Sequence, residues 1–250
     1  MSGHSKWASI KHQKGVADAR RGQLFTKLTR EIIVAVRQGG SDPDMNFRLR
    51  LAVQKARDAN MPLDNIERAI KRGAGETDGA ALIEMVLEGY GPSGAAILVQ
   101  ALSDNKNRTV QEVRNLFSRN GGNLGESGCV AWLFESKGMI IVDTEGNDPE
   151  ELALQAIDAG AEDVKIETGY IEIYTTPEDF ITVRQHLEES GIAIDSSEVS
   201  MIPQTTLDLE EKPAFQNLRL LNKLEELDDV QLVVSNINFT DDILEKFEAQ

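Results

Sequence analysis

Fifteen of the chain's lysines and arginines fall within its first 72 residues, spaced so that several of them could meet successive phosphates of a nucleic acid. Lys6, Lys11 and Lys14 alternate with Trp7 and His12 in the opening stretch, and Arg20, Lys27, Arg30 and Arg37 recur further on. Arg48 and Lys55 complete the set. Phosphate binding needs several cations on long, adaptable stems, and aromatic rings among them can stack on bases. Trp7 has two readings: it anchors the basic arm to neighbouring helices, or it touches nucleic acid. Only seven acidic residues share this segment, for a net charge of +8, whereas the rest of the chain holds 11 basic and 35 acidic residues, a net of −24. Such an asymmetry would aim the basic end at a polyanion. With five to eight phosphates contacted, affinity should fall with salt at a log-log slope of roughly −4 to −7.

Other chemistries find less support. Gly121 to Gly128 superficially resembles a phosphate loop, yet it has no lysine, carries Glu126 and leads into a strand where such a loop opens a helix. Cys129 has no histidine near it in sequence and reads as a small core thiol. Asp228-Asp229 and Asp241-Asp242 could bind a divalent ion in a remote reading as a metal-dependent enzyme, but paired acids on an acidic chain are usually solvated. His4, His12 and His186 are scattered, so no zinc site assembles with the single cysteine. The expectation is a non-enzymatic protein without cofactor or metal. One cysteine excludes an internal disulfide, no apolar run reaches membrane-spanning length, and the opening residues have no signal-peptide core, so a cytoplasmic protein without a membrane partner is expected. No long heptad seam is present, and a monomer is expected.

The elements that must position the cations follow from periodicity. From about Val16 to Gln38 the pattern is helical: Leu24, Phe25, Leu28, Ile32, Ala35 and Val36 share one side. Arg20, Lys27, Arg30 and Arg37 lie opposite, which presents them to solvent or a partner. Gly39-Gly40 ends that helix. A second helix, about Asp44 to Ala59, buries Met45, Leu49, Ala52, Val53 and Ala56, with Arg48 and Lys55 on one flank and Arg50 and Arg57 on the other. A third runs from about Pro62 to Arg72 and stops at Gly73. The glycine-rich stretch from Gly73 to Gly79 reads as a linker.

Beyond it the period drops to two. Strands are expected near 82–88, 95–102 and 129–134, with a helix after Asp104 capped by Asn107 or Thr109. An internal repeat follows: strand 138–143, helix 149–159 and strand 163–167, then strand 170–175, helix 177–189 and strand 192–199. Both helices open with a cap residue, a proline and acids, Asp148-Pro149-Glu150-Glu151 and Thr176-Pro177-Glu178-Asp179. Two βαβ units of this length suggest a ferredoxin-like βαββαβ domain. A strand near Met201 to Leu207, a helix from Pro213 to Leu227 and a strand from Val230 to Ser235 would join the earlier strands in a second α/β unit. The expected class is α+β in three domains: an all-helical basic domain (1–74), a discontinuous α/β middle domain (75–135 and 201–250) and an inserted ferredoxin-like domain (136–200).

Linked motifs along nearly the whole chain resemble the YebC/PmpR family: Gly3-His4-Ser5-Lys6-Trp7, Asp18-Ala19-Arg20-Arg21-Gly22, Asn60-Met61-Pro62, Glu88-Gly89-Tyr90-Gly91-Pro92, Asp104-Asn105-Lys106-Asn107-Arg108-Thr109 and Gly121-Gly122-Asn123-Leu124-Gly125. Phe47 departs from the proline that the family often carries before Arg48-Leu49-Arg50. The resemblance implies three domains with a discontinuous middle one, and a regulator of gene expression. Bacterial relatives are commonly named transcriptional regulators that bind promoter DNA, while a mitochondrial translational activator and some bacterial members act on ribosomes. Promoter DNA, or ribosomal RNA on the ribosome itself, is therefore the expected partner.

Overall fold

Residues 18–75 and 81–249 are described by the structure, a computed structural model; for residues 18–20 and 248 the description is of the backbone alone. Three helices open it. In α1 (Asp18–Gly39), Leu28, Ile32, Ile33, Ala35 and Val36 are buried against α2 (Phe47–Asp58) and α3 (Leu63–Gly73), the apolar side that the 3.6-residue period predicts. The α1–α2 turn is organised by Asn46, 5 % exposed. Its amide donates to Ala35 O at 2.8 Å and Gly40 O at 2.7 Å, and its oxygen accepts from Leu49 N at 3.0 Å. One side chain thus ties carbonyls on either side of the end of α1 together and caps the start of α2. Because the cap is Asn46, α2 begins at Phe47 and not at Asp44. Met45, expected in the core, precedes the helix and is 84 % exposed. Gly73 is not a stop but the last helical residue, lying against α1 where a Cβ would come within 2.7 Å of Val36 Cβ.

The middle unit is a four-stranded antiparallel sheet in the order β3-β1-β2-β8, built from β1 (Ile83–Tyr90), β2 (Ala96–Ser103), β3 (Asn123–Leu124) and β8 (Val230–Ser235). One face packs on α4 (Lys106–Arg119), α7 (Glu211–Glu225) and α8 (Asp241–Glu248), through Val113, Phe117, Leu218, Leu221, Phe239 and Leu244. Helix α8, capped by Thr240, is not among the elements expected from the sequence. Nor does Asn107 or Thr109 cap α4. Asn105 does, two residues earlier than the first of these, because Thr109 is drawn inward to hydrogen-bond Asp229.

The expected strand at 129–134 is absent among the described residues. The carboxylate of Glu88, 4 % exposed, accepts from the amides of Gly128 (2.7 Å), Val130 (2.8 Å) and Ala131 (2.7 Å). Those amides cannot also enter a ladder, so residues 131–133 form a 3-10 turn and the strand starts at Phe134.

From there β4 (Phe134–Asp143), α5 (Pro149–Asp158), β5 (Asp163–Glu167), β6 (Tyr170–Thr175), α6 (Phe180–Glu189) and β7 (Ile194–Pro203) form the second sheet, antiparallel throughout in the order β5-β6-β4-β7. That is the ferredoxin-like βαββαβ order. Two elements differ from expectation. The proposed strand at Met201 to Leu207 is divided: 201–203 extend β7, paired with β4 as far as Phe134↔Pro203, while Leu207 makes only an isolated bridge to Ile237. Helix α6 begins at Phe180 and not at Pro177, because the Thr176 hydroxyl accepts from Asp179 N at 3.0 Å and holds the intervening residues in a turn. Only α5 has the capped, proline-first opening.

Candidate nucleic-acid interface

The cations selected from the sequence have sharply different surroundings. Lys6, Trp7, Lys11, His12 and Lys14 lie outside the described residues, as does the side chain of Arg20. Arg37 is exposed in the last turn of α1. Lys27 and Arg30, expected to face solvent or a partner, face the middle unit instead. Lys27 Nζ donates to Glu225 O at 2.6 Å; Arg30 Nη1 donates to Asp228 O at 2.5 Å and to Asp229 Oδ1 at 3.0 Å. Gln23, one turn earlier on the same side, donates to Glu226 O at 2.6 Å and Asp228 Oδ1 at 3.0 Å. The carbonyls at the C-terminal end of α7 carry the negative end of its dipole, so cations and amide donors are favoured there.

Asp229 is the hub of this contact. It is 5 % exposed, contrary to the solvated acid expected, and also accepts from Ser103 Oγ (2.8 Å), Thr109 Oγ1 (2.6 Å) and Arg108 Nη2 (2.7 Å). Burial alone would raise its carboxyl; the hydrogen bonds from Arg108, Thr109 and Ser103 outweigh it and hold the carboxyl below the usual aspartate range.

Helix α2 is clamped on two further sides. Arg48 binds the Glu84 carboxylate through both terminal nitrogens, at 2.6 and 3.0 Å, and reaches Gln38 Oε1 at 2.6 Å. The pair stabilises both charges: the hydrogen bond to Glu84 raises the Arg48 pKa, and the same bond lowers that of Glu84. Lys55 lies 3.4 Å from Glu31, whose charge raises the lysine pKa. On the outer side, Leu51 packs against the core of the second sheet, and Asp58 holds Arg184 of α6 at 2.6 and 3.0 Å. The opposite flank of α2 remains. Arg50 and Arg57 are exposed there, seven residues apart and so about 10 Å along the helix on nearly the same side. Among the described residues neither has a side-chain hydrogen bond or ion pair. Spacing alone could not separate this open flank from the paired one carrying Arg48 and Lys55.

Between α1, α3 and the middle unit lies a cavity of about 410 Å³. Phe25, Ile33, Met61 and Leu82 make its apolar walls, with Arg30, Arg72 and Asp104 as its charged lining. No group of three or more His, Cys, Asp or Glu side chains among the described residues is placed to hold a metal ion, and no described helix is long and apolar enough to cross a membrane.

Residues 5–76 match a family described as the TACO1/YebC protein N-terminal domain, and residues 82–237 match the TACO1/YebC second and third domain. A probable transcriptional regulatory protein of Dehalococcoides mccartyi (strain CBDB1) is 60% identical over 250 residues, covering 100% of each chain. A second protein of that description, from Halothermothrix orenii, is 52% identical over 253 residues, again across 100% of both. The crystal structure of a conserved hypothetical protein from Aquifex aeolicus is similar to this fold with a TM-score of 0.80 and 48% identity, covering 93% of this chain and 99% of that one.

Proposed function

Because the chain belongs to the TACO1/YebC family, whose relatives are named as probable transcriptional regulators, we propose that it is a cytoplasmic, non-enzymatic regulator of gene expression that binds DNA through its basic helical end. The observation that carries this reading is the division of charge: net +8 in the first 72 residues against −24 in the remainder. Cations gathered at one end of an anionic molecule attract a polyanion to that end and repel it from the rest. The free flank of Arg50 and Arg57 on α2 is where phosphates have direct access. In this reading residues 1–74 are the binding domain, 75–135 with 201–250 the middle domain and 136–200 the inserted one.

One observation favours a second reading, in which ribosomal RNA is the partner and translation the process regulated. A recognition helix must bring a free face to the floor of the major groove. Yet α1 is docked on the end of α7, and α2, held at Glu84 and Arg184, offers its narrow Arg50 and Arg57 flank and not a whole helix face. Irregular RNA, recognised through its backbone and splayed bases, makes no such demand.

The deciding experiment is fractionation from cells with and without ribonuclease, followed by sequencing of crosslinked nucleic acid. Discrete promoter fragments support the first reading; ribosomal RNA crosslinks and co-sedimentation with ribosomes support the second. Recovery of neither sinks both. In vitro, Arg50→Glu with Arg57→Glu should weaken binding to either target by about tenfold or more while leaving the fold intact, since each reversal replaces a phosphate-attracting charge with a repelling one. Unchanged affinity in the folded variant refutes the placement of this surface.

A further inference from the structure

The segment docked on α1 has an unusual composition. Glu225-Glu226-Leu227-Asp228-Asp229 places four carboxylates in five residues at the C-terminal end of α7. Its oxygens meet α1 as a phosphate backbone would. Three backbone carbonyls, of Glu225, Glu226 and Asp228, receive Lys27, Gln23 and Arg30. The carboxylates of Asp228 and Asp229 receive Gln23 and Arg30 in addition. The helix dipole adds its negative end at the same place. A basic helical face chemically suited to phosphate is therefore filled by a run of anionic and dipolar oxygens from the same chain.

The seam so formed is polar and incompletely packed. The apolar clusters of the helical unit and the middle unit are separate, Leu82 being the residue beyond α3 that packs on the helical core. The 410 Å³ cavity runs along the seam, with Phe25, Thr29 and Arg30 on the α1 wall and Leu82 and Asp104 opposite. A contact made of hydrogen bonds around one buried carboxylate, with little apolar surface behind it, can be exchanged for another polyanion that offers the same donors replacement oxygens, more easily than for water.

We propose that the acidic segment 225–229 is an intramolecular mimic of nucleic acid, which shuts the Gln23, Lys27 and Arg30 face of α1 until a polyanion displaces it. The inference rests on the reading of the chain as a nucleic-acid-binding regulator and assigns a built-in competitor to that function. Basal contact then uses the outward flank of α2, and tight contact requires α1 to part from α7. Weak or incorrect polyanions, unable to displace the segment, are rejected.

The test uses the full chain, with Cys129→Ser so that two introduced thiols are the only ones. Gln23→Cys and Asp228→Cys replace side chains whose polar atoms are 3.0 Å apart, and a short bismaleimide with a reducible link joins them. Binding is measured to duplex DNA and to single-stranded RNA of about 30 nucleotides and mixed sequence, since backbone contact does not depend on sequence. The joined protein should bind about tenfold or more weakly than the same protein after reduction of the link, a difference of about 1.4 kcal/mol. In an otherwise native chain, Asp228→Ala, which removes both a charge and the acceptor that holds Gln23, should tighten binding about threefold or more. Equal affinity of joined and cleaved protein, or no tightening in the neutralised variant, overturns the inference while leaving the nucleic-acid reading in place. Failure of the native, unlinked chain to bind either probe is a different result: it removes that reading and the inference with it.

Discussion

Replacing Asp229 with alanine tests whether the polar seam is held by this one buried carboxylate. Four donors lose one acceptor each: Ser103, Thr109, Arg108 and Arg30. Breaking a buried, hydrogen-bonded charge costs about 3–5 kcal/mol. The two arginines keep 44% and 23% of their side-chain surface exposed and can turn to water. Ser103 and Thr109, both 0 % exposed, keep one another at 2.8 Å; Thr109 also keeps Asn105 O at 3.2 Å, and Ser103 Oγ still accepts from Asn105 N at 3.0 Å and Arg108 Nη2 at 3.3 Å. The loss should therefore sit near the low end, about 3 kcal/mol, and Asp229→Asn, which keeps an acceptor without the charge, should lose about half of that. Urea unfolding followed by circular dichroism measures both. The pH dependence supplies a sign. The folded Asp229 carboxyl titrates below its unfolded value of about 3.9, so its stabilisation is complete above about pH 5 and fades as the pH falls through the folded value. Alanine has no such contribution to lose, and the gap between wild type and variant should narrow in acid. A loss below about 1 kcal/mol, or a gap that widens on acidification, would refute the assignment of Asp229 as the hub.

Two further expectations follow from single side chains. Glu88→Gln keeps the shape but cannot accept from Gly128, Val130 and Ala131 together, so it should cost about 2 kcal/mol and speed hydrogen exchange at those three amides; unaltered exchange there would show that the loop holds itself. Gly73→Ala gains about 1 kcal/mol of helix propensity but drives a methyl to 2.7 Å from Val36 Cβ and 3.0 Å from Ile33 O. Net destabilisation of about 1–2 kcal/mol in thermal unfolding is expected, and a stabilised variant would mean that α1 and α3 can move apart freely.

Much of the architecture is legible in the residues because it depends on local periodicity. The 3.6-residue spacing of Leu28, Ile32 and Ala35 marks the inner side of α1. The alternation in Ile83 to Glu88 marks β1, and the repeated strand-helix-strand units mark the second sheet. The errors occur where a single side chain redirects the backbone: Asn46 moves the start of α2, Glu88 abolishes a strand before Phe134, and Thr176 delays α6. Each offers a hydrogen bond stronger than the propensity that opposes it.

The candidate interface divides in the same way. The order of residues alone determines that positive charge is gathered in the first 72 of them, because charge is a property of residue type and needs no geometry. Periodicity determines that Lys27 and Arg30 lie away from the helical core. It cannot say what they meet. Their partners lie 198 or 199 residues onward, at the end of a helix whose position depends on the middle sheet, and only the packed chain brings Glu225, Asp228 and Asp229 to α1. A cation's sequence neighbours fix the side on which it stands; whether that side is open to a phosphate or already closed by a carboxylate is decided by long-range packing.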